Sequence, residues 1–153
     1  MCWQELLFYK KRREGIAMAN RWLFKTEPST YSFQQLVKDG RTVWDGVKNN
    51  LALKNLKGIK KGDTILVYHT GNEKAAVGVA RATSGAFPDP AKKDLKLLAV
   101  EIEADKALPK PVTLAEIKAN AKLKTFDLVR LPRLSIMPVS EEQWKIIEEM
   151  ARK

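Results

Sequence analysis

In the stretch TVWDGVKNN, residues 42–50, a tryptophan, a carboxylate, a glycine and paired amides fall together with hardly an apolar run among them. A strand meant only for a core carries Val, Ile or Leu on alternate positions, so Trp44, Asp45 and Asn49 read as a ligand site. An aromatic face stacks on a planar base, contributing ~1–3 kcal/mol, while neighbouring amides, hydroxyls or carboxylates read its hydrogen-bonding edge. Other aromatics beside polar groups are Trp22 and Phe24, Tyr68 with His69, and Phe87 in GAFPDP. Such rings either stack on a base or fill the core, and Trp22, Phe24 and Trp144 are read as core. Strand alternation puts Trp22 and Phe24 on one face, leaving Lys25 on the other, where it can face a cleft.

Base recognition in a strand also needs cations for phosphate. KNNLALKNLKGIKKG supplies Lys48, Lys54, Lys57, Lys60 and Lys61 with no acid among them, and Arg130 and Arg133 belong to a second basic group with Lys118, Lys122 and Lys124. Either group could be an ordinary solvated face; flanking the suspected pocket in sequence, they favour a phosphate-holding surface with salt-sensitive affinity. The whole chain agrees: 28 Lys and Arg against 18 Asp and Glu give a net charge of +10, a field that attracts polyanions.

Other chemistries find little footing. No Walker glycine loop, G-x-G-x-x-G, G-x-S-x-G or H-E-x-x-H motif is present. The one histidine, His69, has neither an evident nucleophile nor an orienting partner nearby in sequence, so a pocket or core hydrogen bond suits it better than general-base work. Glu101 and Glu103, two apart on a strand, share its solvent face. A single cysteine, Cys2, cannot close an internal disulfide, and no Cys/His cluster offers a zinc site. No metal, cofactor or catalytic residue is expected. The apolar runs fall far short of the ~20 residues that span a bilayer, and a reducing, cytoplasmic compartment is expected, nuclear if the source is eukaryotic.

The elements that must position these groups follow from pattern. With 153 residues, one compact domain is expected. Residues 1–17 read as an N-terminal extension, from an upstream start or disordered, and 18–153 as the domain. RWLFKTE predicts a strand ending at Pro28, and TYSFQQLVKDG a capped helix stopped at Gly40. NNLALKNLKGI predicts a helix capped by Asn and ended at Gly58. TILVYHT and KAAVGVARATS predict antiparallel neighbours, and the alternation in KLLAVEIEAD a strand buried on one face. Thr113 with Glu116, and Ser140 with Gln143, are spaced as capping boxes for two more helices, and RLSIMPV lies between them as a strand. Five to six short strands with flanking helices, lacking regular βα alternation, predict a mixed α+β domain on a curled sheet or small β-barrel.

The words RWLFKTEPSTYSFQQL, TVWDGVKNNLALKNLKGIKKGDTILVYHT, AVGVARA, AFPDP, PVTLAEIKA and LVRLPRLSIMPVSEEQW, in this order, resemble the EVE domain, a PUA-like family. The resemblance covers residues 20 to about 147. It implies a PUA-like β-barrel with packed helices, related to the YTH readers of methylated adenine in RNA, and binding of modified bases, notably modified cytosine in DNA, between aromatic walls. Carried onto this chain, it makes Trp44 the leading wall with Asp45 at the base edge. Lys25, Thr26, Glu27 and Pro28 match a K-S-E-P word with Thr for Ser. Asn49 matches the amide closing the tryptophan word, where Lys48 replaces an arginine and so lacks its planar fork. Phe87 and Pro88 match an aromatic-proline loop that could close the pocket, and Leu134 and Ser135 its late wall.

The reading that joins these strands is a non-enzymatic reader of a modified base in DNA. It requires the indole of Trp44 to line an open slot with cations on its rim. Its rivals are an RNA-side factor, a nucleotide or small-molecule hydrolase using His69 with Asp45 or Glu27, and a protein-interaction module that buries the aromatics against a partner.

Overall fold

The computed structural model describes residues 20–90 and 96–153; the proposed extension, with Cys2, lies outside them. Strand β1 (Arg21–Thr26) is flanked by parallel β3 (Thr64–His69) and antiparallel β7 (Ile136–Val139). A parallel pair needs a long crossover, supplied here by helix α1 (Phe33–Asp39), strand β2 (Arg41–Trp44) and helix α2 (Asn50–Lys57). β4 (Ala75–Ala82) returns antiparallel to β3, and β6 (Leu98–Thr113) pairs with both β4 and β2. The order is β2-β6-β4-β3-β1-β7, and β5 (Phe87–Pro88) adds to β6 off that path.

The mixed α+β domain on a curled sheet is therefore present, with seven strands instead of five to six, and β2 and β7 remain unclosed edges. The added strand is β5, two residues long, too short to leave an alternation pattern. The strand expected to end near Asp105 instead runs on through LPKP to Thr113. In its pairing with β4, Gly78 faces Ala107 while Ala76 faces Val112, so Leu108 to Pro111 occupy a bulge. Proline has no N–H to give a ladder, and a bulge does not ask for one.

The four caps expected for the longer helices are formed. Ser32 accepts from Gln35 N–H at α1, and Asn49 from Ala52 N–H at α2. Thr113/Glu116 and Ser140/Gln143 close capping boxes at α3 (Leu114–Ala119) and α5 (Glu141–Arg152). A 3-10 turn (Ala121–Leu123) and α4 (Asp127–Arg130), both too short to show a repeating helical pattern, complete the order. Phe24, Leu36, Leu56, Ile65, Ile102, Ile117, Phe126 and Ile136 are sealed in one core beneath the sheet, with Trp22 and Trp144. Trp22 satisfies its indole N–H on buried Asp63 at 2.9 Å. Among the described residues no helix is long and apolar enough to cross a membrane, and no cluster of three or more His, Cys, Asp or Glu could hold a metal.

Candidate functional site

Trp44 ends the edge strand β2. Its cross-strand partner on β6 is Val100, which is fully buried, so the indole starts on the core face of the sheet and reaches out at its rim. The ring packs on Phe24 of β1, 5.4 Å between centroids, and meets Tyr31 edge-on at 6.1 Å. β1 stands four places from β2 in the pairing order, about 19 Å away in a flat sheet. Rings 5.4 Å apart therefore require the sheet to curl, and the unclosed seam where β2 returns over β1 is where a cavity opens.

That cavity measures about 480 Å³ and is lined by Lys25, Thr26 and Glu27 of the β1 end, Thr30 and Tyr31 of the following turn, and Thr42, Val43, Trp44 and Asp45 of β2. The indole is half-buried and Val43 is 38% exposed. The turn is held rigidly: Thr30 and Tyr31 N–H both donate to Glu27 O at 2.9 Å, and the Thr26 hydroxyl donates to Tyr31 O at 2.7 Å. The Tyr31 hydroxyl donates to Asp39 at 2.8 Å; burial first, then Asp39, raises its pKa, so it remains a neutral donor. On the other side Gly46 turns the chain at φ 75°, a conformation that favours glycine, and its N–H donates to buried Asp89 at 3.3 Å.

Three charged residues line the cavity, and the Glu27 carboxylate is held by the Ser29 and Thr70 hydroxyls, at 3.2 and 3.3 Å. Asp45 is exposed, and its carboxylate has no hydrogen bond or ion pair among the described residues. Lys25 is half-buried, which lowers its pKa, and its Nζ donates to Pro132 O at 2.7 Å while lying 6.0 Å from the Tyr68 ring centre. One of the ammonium's three donors is so used.

Of the residues expected at the pocket, Lys25, Thr26, Glu27, Trp44 and Asp45 come together in this cavity. Pro28 is half-buried in the adjoining turn but is not among the lining residues. Asn49 caps α2 and lines a second cavity of about 310 Å³ with Leu134, Arg130 and Arg133. Ser135 accepts from Lys25 N–H through its carbonyl at 2.9 Å, so its contribution is to join β1 to the β7 side. Phe87 and Pro88 form β5, and it is their neighbour Asp89 that ties this segment to Gly46.

Tyr68 and His69 lie on β3, away from the indole. Tyr68 borders a smaller cavity of about 170 Å³ behind Lys25, and burial pushes its pKa up to about 12. His69 is 1% exposed. Its Nε2 accepts from Phe33 N–H at 2.9 Å, which places the ring proton on Nδ1, 2.9 Å from Glu73. Nε2 thus ties β3 to the first residue of α1 and Nδ1 ties it to the loop between β3 and β4, and His69 is not among the residues lining the cavity.

The cations divide. Lys48 stands between the Trp44 wall and the Asn49 cap, whereas Lys60 and Lys61 turn into β3 beside Asp63, which accepts from Lys60 N–H at 2.9 Å. Asp63 borders Thr64, paired with Arg21 at the start of β1, while the cavity lies at the β1 end around Thr26. Five strand steps separate these ends, about 17 Å. Lys54 and Lys57 lie on α2 between them, exposed.

Tyr31, Thr30, Thr42 and Val43 escaped the sequence reading. Tyr31 immediately precedes a Ser cap, a place where an aromatic can also serve as a helix staple, and only the curl of the sheet sets it against Trp44.

With this geometry in view, residues 20–150 match the EVE domain family. Human thymocyte nuclear protein 1 is 25% identical over 170 residues, covering 89% of this chain and 76% of that one. Among solved structures, Rpa0253 from Rhodopseudomonas palustris superposes with a TM-score of 0.84 at 38% identity, covering 88% of this chain and 94% of its own. Human THYN1 protein, solved in complex with 5-methylcytosine containing DNA, superposes at 0.82 with 25% identity, covering 88% and 99%.

Proposed function

The chain belongs to the EVE domain family, and from that premise we propose that it is a non-enzymatic reader of a modified base, a 5-substituted cytosine in DNA, swung out of its strand onto Trp44. The observation that carries this reading is the open cavity of about 480 Å³ walled by a half-buried indole. Its volume falls within the roughly 300–1,000 Å³ of small-ligand sites. The DNA-bound relative supports the ligand class.

In this reading Phe24 and Tyr31 hold the indole so that its free face is ready for stacking, with little ordering left to do on binding. The Asp45 carboxylate accepts from the exocyclic amine of cytosine, as acidic side chains do at cytosine N4. The remaining Lys25 donors and the Thr30 and Thr42 hydroxyls serve the acceptors of the same edge. Val43 offers an apolar surface for the 5-substituent. Burying one methyl contributes about 0.8 kcal/mol, so discrimination from unmodified cytosine by burial alone is about fourfold. Unstacking costs a few kcal/mol, which stacking, edge contacts and phosphate pairing offset.

The test is a tryptophan-fluorescence titration with matched oligonucleotides, methylated and unmethylated, as DNA and as RNA. Trp22 and Trp144 are buried and the sequence holds a fourth tryptophan, Trp3, so the Trp44 signal is the part of the quenching that Trp44→Phe removes. Methylated DNA is expected to quench and to bind more tightly than its unmethylated match, and Trp44→Ala, measured by calorimetry, to lose ~1–3 kcal/mol and the discrimination with it. Equal affinity for methylated and unmethylated strands of both kinds sinks the reading. Preference for methylated RNA would move the partner, not the pocket.

A further inference from the structure

We propose that the second cavity, at the start of α2, is a subsite for the nucleotide adjoining the flipped base. This rests on the base-reading function above. The cavity of about 310 Å³ has an apolar floor of Leu51, Leu131, Pro132 and Leu134. It adjoins the first: Lys25 lines one, and its Nζ touches the carbonyl of Pro132, which lines the other.

Leu51 is 43% exposed, and the described residues expose only two other large hydrophobics, one being Val43 in the first cavity. Two of these three large exposed hydrophobics thus mark the two cavities, and the Asn49 cap fixes the helical turn that carries Leu51. An exposed leucine beside a base-sized hollow is the kind of group that supports or replaces a displaced base.

The charges complete the pairing. Arg130 is committed to Asp127 at 2.6 Å and to Thr125 O at 3.2 Å. Arg133 is exposed and has no ion pair or hydrogen bond among the described residues. One free guanidinium above one apolar floor matches one phosphate and one base, and its position next to the first cavity matches the next link of the same strand. Arginine's planar fork suits phosphate oxygens bidentately.

The experiment compares 5-methyl-2′-deoxycytidine with two dinucleotides that extend it by one thymidine, on the 5′ or the 3′ side. One dinucleotide is expected to bind the wild-type protein roughly fivefold or more tightly than the nucleoside, the scale of one added stacked base. In Leu51→Ser that gain falls below about twofold while nucleoside affinity holds, and Arg133→Gln also removes it, with thermal melts confirming folding. The subsite is overturned if neither dinucleotide outbinds the nucleoside, or if the gain survives both substitutions. The base pocket fails on a different arm: no nucleoside binding by the wild type, or nucleoside binding indifferent to Trp44→Ala.

Discussion

Asp45 and Trp44 are neighbours in the chain with different duties, one directional and one not. Stacking tolerates any base because each has a π-face; a carboxylate that only accepts hydrogen bonds selects bases presenting an amine. Asp45→Asn replaces one acceptor oxygen by a donor and removes the charge that strengthens the bond, so discrimination of 5-methylcytosine over thymine should fall by about 1–3 kcal/mol, read by competition between two otherwise identical oligonucleotides. An unchanged ratio would remove Asp45 from the edge. Behind the site, Tyr68 titrates late. Its phenol ionises near 10 in the unfolded chain and at about 12 in the native one, because burial disfavours the charged form. Between those values the unfolded state binds fewer protons, so stability, fully present below pH 10, declines as pH rises through that window. Tyr31 adds in the same direction. Tyr68→Phe should therefore flatten the alkaline loss, measured as the urea midpoint from pH 9 to 11.5. The residue types were legible at this scale, since Trp44, Asp45 and Lys25 all reach the cavity. His69 was legible as a hydrogen-bonding group and not as to its place, because a strand pattern tells which face a side chain takes and not what covers it.

At the scale of elements, α1 is seated by one close approach. Phe33, its first residue, lies over Gly78 of β4, where an added Cβ would come within 2.3 Å of the ring. The ring therefore occupies the space that any side chain at position 78 would need. Gly78→Ala should cost about 1–3 kcal/mol through overpacking, lowering the melting temperature by about 2–4 °C per kcal/mol in a domain of this size. Pairing it with Phe33→Leu should recover part of the loss, which a calorimetric double-mutant cycle can read. Because Phe33 follows Tyr31 and Ser32, the same change should also loosen the turn beside Trp44 and weaken base binding. The helices were legible through their caps at Ser32, Asn49, Thr113 and Ser140, where a side-chain oxygen does a job visible in three or four consecutive residues. The course of β6 through Pro109 and Pro111 was not, because those prolines are accommodated by a bulge against β4, a partner about thirty positions earlier in the chain.

For the molecule as a whole, net charge of +10 speaks of attraction to polyanions, while the salt dependence of binding counts only cations that touch phosphate. On an oligonucleotide of about six residues, Lys48→Gln should reduce the slope of log affinity against log salt by about one, and Lys60→Gln, at the opposite end of β1, should leave it unchanged. Equal slopes for both variants would mean that the strand does not follow the rim proposed here. The amino-acid sequence alone determined the composition of a basic α+β domain, most element boundaries, the caps, the EVE resemblance and the adjacency of Trp44 and Asp45, because each is written in local spacing or in the ordered words of a family. Tertiary structure alone decided that Tyr31 and Phe24 back the indole, that Lys60 stands far from it, and that Asn49 and Arg133 open onto a second cavity. Those facts depend on how twist and bulges accumulate over five neighbouring strands, a sum in which no short segment contains its own answer.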